Sequence, residues 1–223
     1  MAQATPRRVS RRVSRYRGAM TERLVRGLAV LVVALAAKPG LGQAPAEIEP
    51  QAAPIRYGAA GSLALDLSTA WATDLDDGNY WMPLAIGVSW FAADGFSLDL
   101  AAEMYTIDAS TPEVSPRQAY SATGGGGSIG ITWHFLEGRL GDRDWSIFAD
   151  AGVGLLWTGD DVPPGGTRLN FTPRAGIGGT LGLDDRTRLV LGLRWFHISN
   201  AQTGSDNPGI DALQVVGGVS FAF

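Results

Sequence analysis

Apolar side chains recur at every second position along most of this chain, from Leu63 to its last residue, Phe223. In the first such stretch, Leu63, Leu65 and Leu67 share one row, and small or polar residues separate them. A period of two is typical of a β-strand, whose successive side chains point to opposite faces. The pattern returns in eight segments: 63–71, 82–90, 96–104, 129–135, 145–157, 169–181, 189–195 and 213–223. The sequence therefore predicts an all-β protein with eight antiparallel strands.

The row opposite the apolar one indicates a transmembrane β-barrel. It consists mainly of Gly, Ala and Ser, and it also contains charged residues. The charged positions are Asp66, Asp99, Glu103, Asp150, Arg174 and Arg194. Inside an eight-stranded membrane barrel, small residues leave room and charges can pair, while the apolar row faces lipid and aromatic residues mark the interfaces. The alternative is a soluble lipocalin-like barrel, whose outer row would contain more Lys and Glu.

The first 44 residues differ in kind from the rest. Eight arginines precede an apolar run from Leu28 to Ala37, and small residues follow around Ala44. A basic region, a short apolar region and a small-residue cleavage site describe a secretory signal. We predict that residues 1–44 are a signal peptide with a basic extension, that Met20 is a candidate start, and that residues 45–223 form an outer-membrane β-barrel. An inner-membrane anchor is the alternative, although the run is short for a spanning helix.

Composition excludes several classes of function. Removing residues 1–44 takes away 9 of the 18 Lys and Arg and 1 of the 22 Asp and Glu, which leaves 9 against 21, a formal charge of −12. Such an acidic chain does not fit a nucleic-acid partner. The chain has no Cys and two His, so disulfides are excluded and a metal site has little support. We predict no metal and no other cofactor.

The lengths of the connections orient the predicted barrel. Residues 92–95 and 183–187 make tight turns, whereas 73–79, 108–120 and 158–167 are longer and rich in turn residues. Outer-membrane barrels have short periplasmic turns and longer extracellular loops. The connection 200–210 is therefore extracellular, and His197 and Ser199 lie at the outer end of the seventh strand.

Three polar residues interrupt the row that should face lipid. His197 and Ser199 continue the outward row of Leu193 and Trp195, and Asp211 begins the outward row of the last strand. If the loop is symmetric, antiparallel pairing places His197 opposite Asp211, with Cβ atoms about 5 Å apart. Residues two apart on one face are about 7 Å apart, so the imidazole can reach the serine hydroxyl. Acyl transfer requires such a base between a nucleophile and an orienting acid.

These residues also resemble a known family. The run from Phe196 to Ala201 (Phe-His-Ile-Ser-Asn-Ala), followed by Asn-Pro-Gly-Ile-Asp ending at Asp211, resembles the lipid A 3-O-deacylases of the outer membrane (the PagL type). The resemblance implies that Ser199 is the nucleophile, His197 the general base and Asp211 the orienting acid. It also implies that Asn200 and nearby backbone N–H groups bind the oxyanion. The chain departs from the family at Asp211, where Glu is usual, and at Gln202, where a small residue is common.

Each of these residues also has a simpler interpretation. His197 can be an interfacial polar residue, Ser199 the end of a strand and 207–209 an ordinary turn. His134 falls in an inward row and is interpreted as a lumen residue. The glycines at 125, 127 and 130 match a dinucleotide-binding pattern by letter, but a strand follows them where that motif needs a helix.

Two functions of different classes follow. The first is a serine esterase that hydrolyses the 3-position acyl ester of lipid A in the outer leaflet of the bacterial outer membrane. Its partners are lipid A or lipopolysaccharide and the surrounding membrane lipids. The second is a non-enzymatic barrel that acts as an anchor or a surface-interaction protein. The sequence does not determine the oligomeric state, the regulation or the acyl-chain preference.

Overall fold

The computed structural model describes residues 56–74, 80–110, 119–163, 165–207 and 209–223. The signal predicted for residues 1–44 lies outside these ranges. Nine strands are present: β1 (Leu63–Asp74), β2 (Tyr80–Ala93), β3 (Phe96–Ser110), β4 (Ala119–Leu140), β5 (Arg143–Val162), β6 (Thr167–Phe171), β7 (Arg174–Gly182), β8 (Thr187–Ile198) and β9 (Ile210–Ala222). Among the residues described, no helix has the length and hydropathy needed to cross a membrane.

Eight of these strands form a closed antiparallel ring. The order is β4-β3-β2-β1-β9-β8-β7-β5, and the pairing of β4 with β5 closes it. Short turns and the C-terminal residue lie at one end, called the turn end here, and the longer connections lie at the other, the loop end. Closure pairs the strand edges that an open sheet would leave free, as a membrane requires. The predicted eight-stranded barrel is confirmed.

The sixth crossing is divided into β6 and β7, where the sequence predicts one strand over 169–181. The cause is Pro173, which has no N–H to donate. The register does not change across the break, because Phe171 pairs with Leu155 and Arg174 pairs with Gly152. Thr172 fills the gap by exchanging two backbone hydrogen bonds with Gly154, at 3.2 and 2.9 Å. The break is therefore a local irregularity in a continuous crossing.

The hairpin of β4 and β5 extends further at the turn end than the sequence predicts. The predicted strands stop at Phe135 and start at Trp145, whereas the pairing continues to Leu140 and Arg143. A register shift between His134 and Leu136 separates this extension from the barrel wall. On β4 the predicted alternation stops at Phe135, next to this shift, whereas on β5 it reaches Trp145, which pairs with Gly138. The extent of the apolar alternation therefore does not mark where a strand ends.

The middle of the lumen is polar and paired. Arg174 Nη1 lies 2.5 Å from Glu103 Oε1, and Arg194 Nε donates to both carboxylate oxygens of Asp150 at 3.0 Å. The two remaining lumen acids have hydroxyl partners: Ser89 donates to Asp66, and Ser97 and Thr132 donate to Asp99. His134 lies in the same interior and contacts Ser146 through Nδ1 at 2.8 Å. The inward direction predicted for these charged residues and for His134 is confirmed.

Toward the loop end the lumen becomes apolar. A buried cluster, called the outer plug here, fills this part of the barrel. Its members are Ala72, Trp81, Tyr105, Ile107, Ala122, Leu156, Val162, Phe196, Ile198, Ile210 and Ala212. Trp81 and Phe196 pack with ring centroids 6.0 Å apart. Interior side chains of a small barrel fill its volume, so the outer plug stiffens the loop end and separates the polar lumen from the loops.

Candidate active site

The register of β8 and β9 brings His197 and Asp211 together. They are direct cross-strand partners, and Ile198 pairs with Ile210 above them. Opposite residues of an antiparallel pair have Cβ atoms about 5 Å apart, within reach of an imidazole and a carboxylate. The pairing predicted from a symmetric loop is confirmed.

The inward neighbours of these residues hold the register. Phe196 and Ile198 flank His197, Ile210 and Ala212 flank Asp211, and all four are buried in the outer plug. A slip of β8 by one residue would turn His197 inward among apolar side chains, and a slip of β9 would do the same to Asp211. Burial of a polar group without a hydrogen bond costs roughly 2–7 kcal/mol. The displaced apolar residues would face lipid at little cost. The cost of burying the polar side chains therefore decides which residues point outward.

The imidazole and the carboxylate form a hydrogen bond. His197 Nδ1 lies 3.0 Å from Asp211 Oδ1, and the exposed fractions of the two side chains are 24% and 50%. Because an ionised carboxylate only accepts hydrogen bonds, Nδ1 is the nitrogen that donates. The neutral ring then presents an unprotonated Nε2, which can accept a proton. Both groups lie on the outer surface of the barrel, next to lipid.

Ser199 follows directly after β8 and is held by β6. Its N–H donates to the Phe171 carbonyl at 3.1 Å, and the Phe171 N–H donates to the Ser199 carbonyl at 2.7 Å. Ser199 is partly exposed, whereas Ile198 is buried, so Ser199 continues the outward row of His197. Within the described residues, the Ser199 hydroxyl makes no hydrogen bond to the imidazole. The structure thus pairs His197 with Asp211 and leaves Ser199 as their neighbour on the same face.

Asn200 organises the loop between β8 and β9. It is buried, its Nδ2 donates to the Asp206 carbonyl at 2.7 Å, and its Oδ1 accepts from the Gln202 N–H at 2.9 Å. Its backbone N–H donates to Asn207 Oδ1 at 3.0 Å. The side-chain contacts of Asn200 therefore hold the turn that follows Ser199.

The same loop contains strained backbone. Ala201 and Gln202 have φ values of 50° and 63°, in the left-handed region that non-glycine residues seldom adopt. Such conformations persist only where surrounding contacts impose them, and they cluster at functional sites. Here the contact is the hydrogen bond from the Gln202 N–H to Asn200 Oδ1.

Two residues that the sequence does not assign to the site contact His197. A Cβ at Gly209 would lie 3.1 Å from His197 Cε1, and the backbone there has φ +26°. Trp195 stacks near the imidazole and donates to Asp211 Oδ1 at 2.8 Å. Trp195 could have been found from the pattern, because it is the preceding outward residue and diagonal cross-strand neighbours lie within reach of aromatic side chains. Gly209 could not, since its contact depends on the loop.

Metal ligation has no candidate at this site. Over the ranges that the structure describes, no three His, Cys, Asp or Glu side chains are grouped so that they could hold a metal ion. At the site the imidazole and the carboxylate are paired, the indole of Trp195 lies beside them, and the Ser199 hydroxyl belongs to the next outward residue. Chemically, this set can move a proton and form a covalent bond to an acyl carbon.

Comparison with known families identifies the chain. The family model described as lipid A 3-O-deacylase (PagL) matches residues 62–220, which include the whole of the site. The chain belongs to this family. The match covers more than half of the sequence, and it extends from the first strand to the last. The family is one of hydrolases, and the protein is a barrel of the bacterial outer membrane. We expect the loop end to be extracellular, because outer-membrane barrels place their longer loops outside the cell.

Solved structures give the same fold. The crystal structure of the outer membrane enzyme PagL is 18% identical, with a TM-score of 0.52, over 70% of this chain and 98% of that one. The N-terminal β-barrel domain of Pseudomonas aeruginosa OprF is 14% identical, with a TM-score of 0.50, over 74% and 98%. No curated protein sequence matches this chain. At these identities the neighbours establish the barrel fold alone.

Proposed function

We propose that this protein is a lipid A 3-O-deacylase, a serine esterase that hydrolyses the 3-position acyl ester of lipid A in the outer leaflet. The observation that supports it most is the hydrogen bond of His197 to Asp211 on the lipid-facing surface, with Ser199 at the next outward position. Membership of the family supplies the substrate class. Lipopolysaccharide in the same leaflet is the partner that brings the ester to this depth.

In the proposed reaction Ser199 Oγ attacks the acyl carbonyl carbon, and its proton passes to His197 Nε2. The tetrahedral intermediate then collapses, the bond between the acyl carbon and the sugar oxygen breaks, and His197 returns the proton to that oxygen. The sugar leaves with a free hydroxyl. A water molecule attacks the acyl-enzyme with His197 again as base, and the fatty acid is released as Ser199 regains its proton. No cofactor takes part.

Asp211 and Asn200 complete the proposal. Asp211 keeps the Nδ1 proton in place and stabilises the imidazolium that forms in each half of the reaction. For the oxyanion we propose Asn200 and the backbone N–H groups near it. Donors that are fixed before the reaction stabilise the developing charge best. The loop contacts of Asn200 supply that rigidity.

The test is expression in an outer membrane followed by mass spectrometry of lipid A. Wild-type protein is expected to remove one hydroxyacyl chain, and fragmentation assigns the loss to the 3-position. Ser199→Ala and His197→Ala are expected to leave lipid A unchanged while the folded barrel persists, seen as a heat-modifiable band on a gel. Unchanged lipid A with folded wild-type protein would refute the esterase and favour the non-enzymatic anchor.

A further inference from the structure

Trp195 differs from the other tryptophans of the barrel in what its indole contacts. All seven tryptophans fall within the described ranges. Trp71, Trp133 and Trp157 are more than half exposed on the outer surface, as interfacial residues are. Among the described residues, Trp195 is the one whose Nε1–H donates to a side chain, Asp211 Oδ1 at 2.8 Å. Its contact is therefore with the site and not with lipid alone.

The position of Trp195 in the sheet explains the contact. Trp195 is paired with Leu213, so Asp211 is its diagonal neighbour across β8 and β9. The indole spans this diagonal and lies beside the imidazole of His197, with ring centroids 5.8 Å apart and planes 20° apart. One oxygen, Asp211 Oδ1, thus accepts from both Trp195 Nε1 and His197 Nδ1.

Two donors on one oxygen restrict the carboxylate more than one donor does. The Asp211 side chain is half exposed, so packing alone does not fix its rotamer. Charge-assisted hydrogen bonds are short and directional. The indole contributes one such bond from a ring that is anchored on the neighbouring strand. This orientation matters because the tautomer of His197 follows from the hydrogen bond at Nδ1.

We propose that Trp195 is a positioning residue that acts on His197 through Asp211. Its N–H holds the carboxylate where Asp211 accepts the hydrogen bond from His197 Nδ1–H, and its ring limits the tilt of the imidazole. Nε2 is then left unprotonated, as the nitrogen that can accept a proton. The inference rests on the proposed function for its effect on rate, and on geometry alone for its effect on the imidazole.

The kinetic test replaces the indole by a ring without a donor. Trp195→Phe is expected to lower kcat by ~10-fold or more with KM within about two-fold, because the loss affects orientation and not binding. Trp71→Phe is the matched control and is expected to keep the wild-type kcat. Trp71 is an exposed outward tryptophan near the same end of β1, which pairs with the other side of β9. A Trp195→Phe enzyme with the wild-type kcat would overturn the inference.

A double-mutant cycle tests whether the effect passes through Asp211. If it does, Trp195→Phe costs nothing further, within about two-fold, once Asp211→Asn is present. Equal losses in both backgrounds would mean that Trp195 acts by another route, and the inference would fail.

A spectroscopic readout separates this inference from the proposed function. The chain has two histidines, so ¹⁵N-histidine NMR of the barrel in micelles gives two imidazoles, and His197→Ala assigns them. The Nδ1–H tautomer of His197 is expected in the wild type and a mixture of tautomers in Trp195→Phe. If wild-type protein does not deacylate lipid A, the proposed function fails, and an unchanged tautomer in Trp195→Phe then refutes the positioning role. If wild-type protein is active and Trp195→Phe equals it in both rate and spectrum, only the positioning role fails.

Discussion

The two halves of the β8–β9 pair have the same alternation of inward and outward residues but opposite chemistry. The inner half is the one toward the turn end, and the outer half is the one toward the loop end. In the inner half, Leu191 and Val215 face lipid, while Arg194 and Gln214 face the lumen. In the outer half, His197, Ser199 and Asp211 take the outward positions, and the inward ones belong to the outer plug. The backbone and the register are continuous through both halves. Only the identity of the side chains changes.

This difference shows how a barrel can build a reactive site on its outside. Polar side chains on the lipid face are tolerated near the interface but costly at the midplane. The outer plug compensates by making the interior the less favourable place for those polar groups. A site that opens toward lipid suits a substrate that never leaves the membrane. The four changes below test this comparison.

Replacing the acid is expected to have the largest effect. In Asp211→Asn an amide lies opposite Nδ1. The ring can then adopt the tautomer with its proton on Nε2, and that nitrogen cannot accept the proton of Ser199. Loss of the orienting acid in a triad lowers kcat by ~10⁴-fold. We expect a loss of this order in deacylation rates, with the heat-modifiable gel shift of the barrel intact. Wild-type rates would remove Asp211 from the mechanism.

Shortening a residue of the outer plug should show how much its packing contributes to the stability of the barrel. Ile198 is fully buried, so Ile198→Ala leaves a cavity and is expected to destabilise the barrel by about 2–5 kcal/mol. Ile177→Ala is the matched control, because Ile177 is 54% exposed on the outer surface and lipid can refill the space. Urea unfolding from lipid vesicles measures both variants. Equal losses would mean that the outer plug is not a packed core.

A methyl group at Gly209 should disturb the imidazole without removing it. The added Cβ would lie 3.1 Å from His197 Cε1, at a positive φ that favours glycine. Displacement of a catalytic group by about 1 Å can cost ~10²-fold in rate. We expect Gly209→Ala to lower kcat by ~10- to 100-fold. Gly217→Ala is the control, within the strand β9 that follows Gly209; a Cβ there meets nothing within 4 Å, and the variant should deacylate at the wild-type rate.

The smallest effect is expected at the turn end of the barrel, in the turn between β7 and β8. Asp184 accepts hydrogen bonds from the N–H groups of Arg186 and Thr187, both at 2.8 Å, and these bonds hold its pKa below the ordinary 3.8. Because the folded-state pKa is the lower one, the contribution to stability is present above pH 3.8 and is lost as the pH falls through the lowered pKa. Asp184→Asn should therefore unfold slightly more easily at neutral pH and like the wild type in strong acid. Deacylation at neutral pH should not change.

Much of the fold follows from the sequence because lipid imposes a simple rule. Each outward position in the membrane must be apolar, so the period of two predicts the strands, their faces and the inward charges. The rule also identifies His197, Ser199 and Asp211, since a polar residue in an apolar row stands out. It does not give the full length of a strand, as in the extension to Leu140, or a break where one residue lacks a donor, as at Pro173.

The tertiary structure decided what depends on contacts between distant parts of the chain. Alternation cannot show that the lumen is apolar near the loop end, because Trp81, Ile107 and Leu156 meet Phe196 only after the ring has closed. Nor can it show that the Asn200 amide holds the loop or that Gly209 lies against the imidazole. The sequence by itself determined which faces the residues take, since that depends on the strand and the solvent around it. Distances and hydrogen-bond partners depend on how the strands close on one another, and only the folded barrel sets them.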